Sequence, residues 1–135
     1  MFGTGMLAYD TGKDNMPVCV KLFKGLDKNF TESFHVELNA EKAQLHHSNV
    51  LRLLGAGKSQ ICKDGVPSGP ETLFIVSELA ANGEAFDYVE MAEGLDPEYA
   101  RQMFTQLLGA VAFIHGKGMV HRDLKLENCF LDKNV

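Results

Sequence analysis

The apolar residues change their period in the middle of the chain, and no other feature limits the possible folds as strongly. Up to Leu79 short apolar runs alternate with turn residues around one helical stretch, whereas beyond Ala80-Ala81-Asn82-Gly83 the pattern is helical. Met6 to Asp10 and Pro17 to Phe23 are apolar runs flanking Thr11-Gly12-Lys13-Asp14-Asn15, which predicts an antiparallel hairpin. Phe30, Phe34, Leu38 and Leu45 recur at helical spacing with Glu32, Glu37, Glu41 and Lys42 between them, predicting an amphipathic helix that ends near His46-His47-Ser48-Asn49. Val50 to Gly57 and Leu73 to Leu79 read as two further strands. Lys58 to Thr72 contains Gly65, Pro67, Gly69 and Pro70 and reads as a mobile loop between them.

In the second half, Asp96-Pro97-Glu98 combines a capping acid, a proline suited to the first helical position and an acid in the first turn. Tyr99, Ala100, Met103, Phe104, Leu107, Leu108, Val111 and Ile114 follow as one apolar face, and Gly116 and Gly118 supply the stop. Strands first and helices second, with a small hinge-like segment between them, is an α+β arrangement in two layers or lobes.

Composition narrows the function classes. Hydrophobic residues make up 45% of the 135-residue chain, enough to bury a core. The 13 Lys+Arg and 18 Asp+Glu give a formal net charge of −5 with basic residues scattered singly, so no basic stripe tracks a nucleic-acid backbone. No apolar run reaches the roughly 20 residues of a membrane helix, and Met1-Phe2-Gly3-Thr4-Gly5 has no signal-peptide pattern. Cys19, Cys62 and Cys129 are odd in number and far apart, which suits reduced thiols and a cytoplasmic location. His46-His47 and His115 to His121 have no cysteine or carboxylate partner at zinc-site spacing, and His35 reads as a helix-surface residue.

The chemistry-bearing segment is His121-Arg122-Asp123-Leu124-Lys125-Leu126-Glu127-Asn128, directly after the long helix and Met119-Val120. It matches the pattern H-R-D-x-x-x-x-N at every fixed position, and in this the chain resembles a eukaryotic protein kinase. Phosphoryl transfer to a hydroxyl asks for an oriented nucleophile and for positive charge gathered on the phosphates. The resemblance implies that Asp123 accepts or orients the substrate hydroxyl proton, that Lys125 lies against the transferring phosphate, and that Asn128 ligates Mg²⁺ through its amide oxygen. His121 and Arg122 would be structural, with Arg122 pairing with a phosphorylated activation loop. A lysine at position 125 resembles the serine/threonine kinases.

Three further segments are similar to the same family, in the same order. Val18-Cys19-Val20-Lys21 resembles the V-A-I-K strand, with Cys19 in place of the alanine, and implies that Lys21 binds the α- and β-phosphates of ATP. Its glutamate partner from the next helix would be Glu37, between Phe34 and Leu38, or Glu41 one turn further on the same face. Leu73 to Val89 resembles the fifth strand, hinge and following helix of the calmodulin-dependent and AMP-activated group. That match makes Ser77 a small gatekeeper, puts the main chain of Glu78 and Ala80 against adenine and brings Glu84 to the ribose. Phe2-Gly3-Thr4-Gly5 looks like the end of the glycine-rich phosphate loop, with Gly3 as its third glycine and Gly5 where that pattern has valine.

The resemblance therefore implies a partial two-lobe kinase fold. Residues 1–79 would form an antiparallel-sheet N-lobe with one helix, residues 80–83 the hinge, and residues 84–135 the start of the C-lobe through the catalytic loop. The D-F-G aspartate of the family pattern would fall beyond Val135, and the first strand before Met1. On that reading the chain is a truncated Ser/Thr kinase domain, inactive in isolation, whose long helix needs further partners for its apolar face. Its partners would be ATP, Mg²⁺ and a protein substrate. A different class, a pseudokinase or inactive remnant acting as an interaction module, is the alternative; the presence of Lys21, Asp123 and Asn128 together argues for a catalytic parent domain.

Overall fold

The structure, a computed structural model, describes residues 4–23, 28–42 and 45–133. The chain divides into two compact units, one of Met1–Leu45 with Arg52–Leu79 and one of His46–Leu51 with Ala80–Val135.

The first unit is built on a four-stranded antiparallel sheet. Its strands are β1 (Thr4–Asp10), β2 (Met16–Phe23), β3 (Leu53–Lys63) and β4 (Val66–Glu78), in spatial order β1-β2-β4-β3. Asp10 turns the chain out of β1, its carboxylate accepting from Gly12 N at 3.0 Å, and Asp14 and Asn15 take the positive φ values that lead into β2. Helix α1 (Lys28–Lys42) contacts β3 and β4. Phe34 from α1 packs with Phe23, Leu73 and Ile75 of the sheet, and Leu38, Leu53 and Ala56 close around them. The Phe23 and Phe34 rings meet edge to face at 5.8 Å and 84°, a favoured geometry for aromatic quadrupoles.

The segment expected as a loop from Lys58 to Thr72 is instead the outer part of a long β3–β4 hairpin. The turn is Asp64-Gly65, with φ of 53° and 78°, the two positive angles that a tight two-residue hairpin turn requires. Gly69 and Pro70 have a place in it as well. Gln60 pairs with Glu71 and Ile61 with Ser68, so Gly69-Pro70 is extruded as a bulge, where a positive φ and a missing N–H disturb no ladder bond. Gln60 Nε2 donates to the bulged Gly69 carbonyl at 3.1 Å, and Lys58 pairs with Glu71 across the ribbon at 2.5 Å. The strand expected from Val50 begins three residues later, because Val50 N is spent on a turn bond to His47 O.

The second unit contains α2 (Ala85–Met91) and α3 (Pro97–Gly116). Asp96 caps α3, its carboxylate accepting from Glu98 N at 2.9 Å, and Pro97 occupies the first turn. Gly118, at φ 74°, ends it: Gly118 N donates to His115 O and Met119 N to Ile114 O. The apolar face of α3 is only partly covered in this unit. Ala110 and Ile114 are buried, whereas Phe104 and Leu108 are 59% and 52% exposed, because the stripe spans a wider arc than one packed neighbour can cover.

His46–Leu51, which the sequence pattern groups with the strands, belongs to this second unit. Asn49 Nδ2 donates to Gln106 Oε1 at 3.0 Å, and the His47 ring lies 5.0 Å from Phe113, both partners on α3. No helix among the described residues is long and apolar enough to cross a membrane.

Candidate active site

In the first unit the sheet register gathers the residues around Lys21. Lys21 lies opposite Gly5 on β1 and Ile75 on β4, and Cys19, two residues earlier on the same face, lies opposite Leu7 and Ser77. The Lys21 ammonium forms an ion pair with the Glu37 carboxylate of α1, with each side chain about two-thirds buried. Of the two candidate glutamates, Glu37 pairs with Lys21; the Glu41 side chain lies outside the described residues. The same ammonium sits 5.1 Å from the centroid of the Phe23 ring.

Ser77 is buried near the end of β4, and beyond it Glu78 closes the strand. Glu78 N donates to Arg52 O at 3.0 Å, and its carboxylate accepts from Arg52 N at 2.7 Å, so the residue is fixed through both main chain and side chain. Gly3 lies outside the described residues.

In the second unit a short 3₁₀ turn, Leu126–Asn128, folds the chain back on Asp123. Asn128 Nδ2 donates to both the main-chain oxygen and the Oδ2 of Asp123, each at 2.8 Å. Lys125 Nζ stands 3.2 Å from the same Oδ2, and Asp123 N donates to His121 Nδ1 at 3.3 Å. Arg122 adopts φ 68°, a left-handed conformation unusual for a long side chain, which turns the chain sharply just before Asp123. The Asn128 amide, with the Lys125 ammonium second, holds the Asp123 carboxyl below the usual carboxylate range. The result is an exposed, ionised carboxylate fixed in orientation, beside a cation and the amide of Asn128.

A second set of bonds ties this loop to the segment carrying Glu84. Glu84 and Phe130 form an antiparallel bridge, flanked by Ala85 N to Cys129 O at 2.7 Å and Leu131 N to Gly83 O at 2.8 Å. Asn82 completes the clamp, its main-chain N donating to Leu131 O and its Nδ2 to Asp132 O at 2.7 Å. Burial raises the Cys129 thiol pKa, as expected of an inert packed thiol. Sequence reasoning missed Asn82 as a clamp and Phe23 as a neighbour of the Lys21 ammonium. For Phe23 the signal was the two-residue spacing on one strand face.

Among the described residues no group of three or more His, Cys, Asp or Glu side chains could hold a metal ion. A divalent cation at this site would depend on ligands from a bound phosphate, the usual situation for Mg²⁺, and the hard amide oxygen of Asn128 fits such a site.

Residues 1–135 match the protein kinase domain family. Among curated proteins the chain is 37% identical over 110 residues to the serine/threonine-protein kinase SIK1 of Mus musculus, covering 82% of this chain and 13% of that protein. It is 35% identical over 122 residues to the serine/threonine-protein kinase CHK1 of Saccharomyces cerevisiae, covering 89% and 20%. It is 33% identical over 135 residues to the probable serine/threonine-protein kinase MARK-A of Dictyostelium discoideum, covering 98% and 12%. The chain thus spans a fifth or less of the length of these relatives. The fold is similar to the crystal structure of Rad53 1-466 in complex with AMP-PNP, with a TM-score of 0.73 at 23% identity, covering 98% of this chain and 34% of that one.

Proposed function

From the premise that this chain belongs to the protein kinase family, we propose that it is part of a protein serine/threonine kinase that transfers the γ-phosphoryl group of Mg-ATP to a protein hydroxyl. The observation that carries this reading is the grip on Asp123. A carboxylate that is to orient an incoming hydroxyl must stay ionised and must not rotate, and the Asn128 and Lys125 bonds provide for both.

In this reading Asp123 accepts a hydrogen bond from the substrate hydroxyl and takes its proton as the new O–P bond forms and the bond from the γ-phosphorus to the departing ADP breaks. A carboxylate with a lowered pKa is a weak base, so its main contribution is orientation until bond formation acidifies the hydroxyl. Lys125 faces the transferring phosphoryl group, and Lys21, held by Glu37, binds the non-transferred phosphates. Glu78 and Ala80 receive adenine through their main chains, Glu84 the ribose, and Gly3 belongs to the phosphate loop. Ser77, small and buried, would be the gatekeeper behind adenine. Mg²⁺ bound to the nucleotide would supply charge neutralisation, and Asn128 would help to hold it through its amide oxygen. The serine/threonine class rests on Lys125 and on the names of the relatives. A cytoplasmic location accords with unpaired cysteines among the described residues.

The test is Asp123→Asn in the complete protein. Transfer of phosphate to a generic Ser/Thr peptide should fall by about a thousandfold while nucleotide affinity changes little. Undiminished transfer would overturn the assignment.

A further inference from the structure

Phe23 follows Lys21 by two residues on β2 and therefore lies on the same face of the sheet. Its ring is fully buried and is held edge to face by Phe34, so packing from α1 fixes the plane that it presents to its surroundings. The Lys21 ammonium lies 5.1 Å from that ring's centroid, inside the roughly 6 Å range over which an aromatic face attracts a cation. Glu37 holds the same ammonium from α1. Two restraints of different kinds thus act on one flexible side chain, a carboxylate and an aromatic face.

We propose that Phe23 is a positioning residue for Lys21, its ring face holding the ammonium in place for a nucleotide's phosphate oxygens. The inference rests on the reading of Lys21 as a phosphate-binding group. The two restraints differ when phosphate arrives. Glu37 orients the ammonium but, being itself an anion, partly neutralises it. The Phe23 ring carries no net charge, so it restrains the four-carbon stem and leaves the full positive charge to the ligand. Holding the side chain in advance also reduces the rotamer entropy lost on binding.

The test uses ¹H–¹³C spectra of the lysine ε-methylene groups in the full chain, with Lys21 assigned through Lys21→Arg. In the unsubstituted protein the Lys21 ε-protons should be shifted upfield by the ring current, away from those of an exposed lysine such as Lys28. Phe23→Leu should abolish that shift, whereas Leu73→Ala, a loss in the same core cluster opposite Phe23, should retain it. Affinity for Mg-ATP should weaken about three- to tenfold in Phe23→Leu and less than twofold in Leu73→Ala. Lys21 ε-protons at the exposed-lysine position in the unsubstituted protein would overturn the proposal, as would equal losses of affinity in the two core variants. Lys21→Ala separates the underlying reading: unchanged nucleotide affinity there, with the ring-current shift present, would overturn the phosphate-binding role of Lys21 and leave the ring contact standing.

Discussion

The side-chain amide of Asn128 grips Asp123 twice, donating at 2.8 Å to its main-chain carbonyl and at 2.8 Å to its carboxylate. One amide nitrogen thus serves two acceptors of the same residue. Removing this group should alter the acid titration in a defined direction. The Asp123 pKa lies below its unfolded value, so its contribution to stability is present above the ordinary carboxylate range and is lost as pH falls through the lowered pKa. In Asn128→Ala the first cause of that depression is gone while Lys125 remains. We expect the Asp123 carboxyl carbon, followed by NMR, to titrate at higher pH than in the unsubstituted protein.

Glu37→Gln tests the ion pair in the first unit. Both side chains are about one-third exposed, so solvent screening limits the stability change to about 1 kcal/mol or less in urea unfolding. Nucleotide affinity should fall more steeply, by about tenfold, because the unpaired ammonium of Lys21 has more conformations to lose. A large fall in stability with unchanged affinity would contradict the assigned role.

Ser77 is buried opposite Cys19, and neither side chain is large. Purine nucleotides enlarged at the exocyclic amine should bind, and Ser77→Met should weaken them by about tenfold or more relative to ATP, since a clash discriminates more sharply than a lost contact. Competition binding with the enlarged analogue and ATP on both proteins measures the ratio.

A side chain at Gly57 would force the Phe74 ring to shift. A Cβ there would fall 2.9 Å from Cζ of Phe74, its partner on β4. Gly57→Ala should therefore destabilise the first unit by about 1–3 kcal/mol, the usual range for overpacking. Phe74→Leu in the same chain should recover part of that loss, a coupling that a double-mutant cycle in denaturant reads directly.

How much of this was legible in the sequence depended on whether the signal was local. Asp96-Pro97-Glu98 specified its helix start within three residues, and Asp123 and Asn128 lie close enough in sequence for one short turn to join them. The Lys21–Glu37 pair bridges a strand and a helix, and periodicity alone left Glu41 open because residues four apart share a helix face. The β3–β4 hairpin is not legible in the sequence because Gly65, Pro67, Gly69 and Pro70 look alike as loop formers. In the fold they divide into a turn, an edge position and a bulge, a distinction that only strand pairing draws. The exposure of Phe104 and Leu108 agrees with the sequence expectation that the long helix needs further partners for its apolar face, because the breadth of that stripe is itself a local signal.

The bridge between Glu84 and Phe130 brings the start and the end of a long stretch of chain side by side, enclosing α2, α3 and the loop that carries Asp123. In mechanical terms this is a zipper set across the mouth of a loop. Tension applied to the chain on either side of it loads the bonds of Asn82, Gly83, Ala85 and Leu131 one after another before it reaches the helices. A pulling experiment should register that unzipping as a first, low-force event.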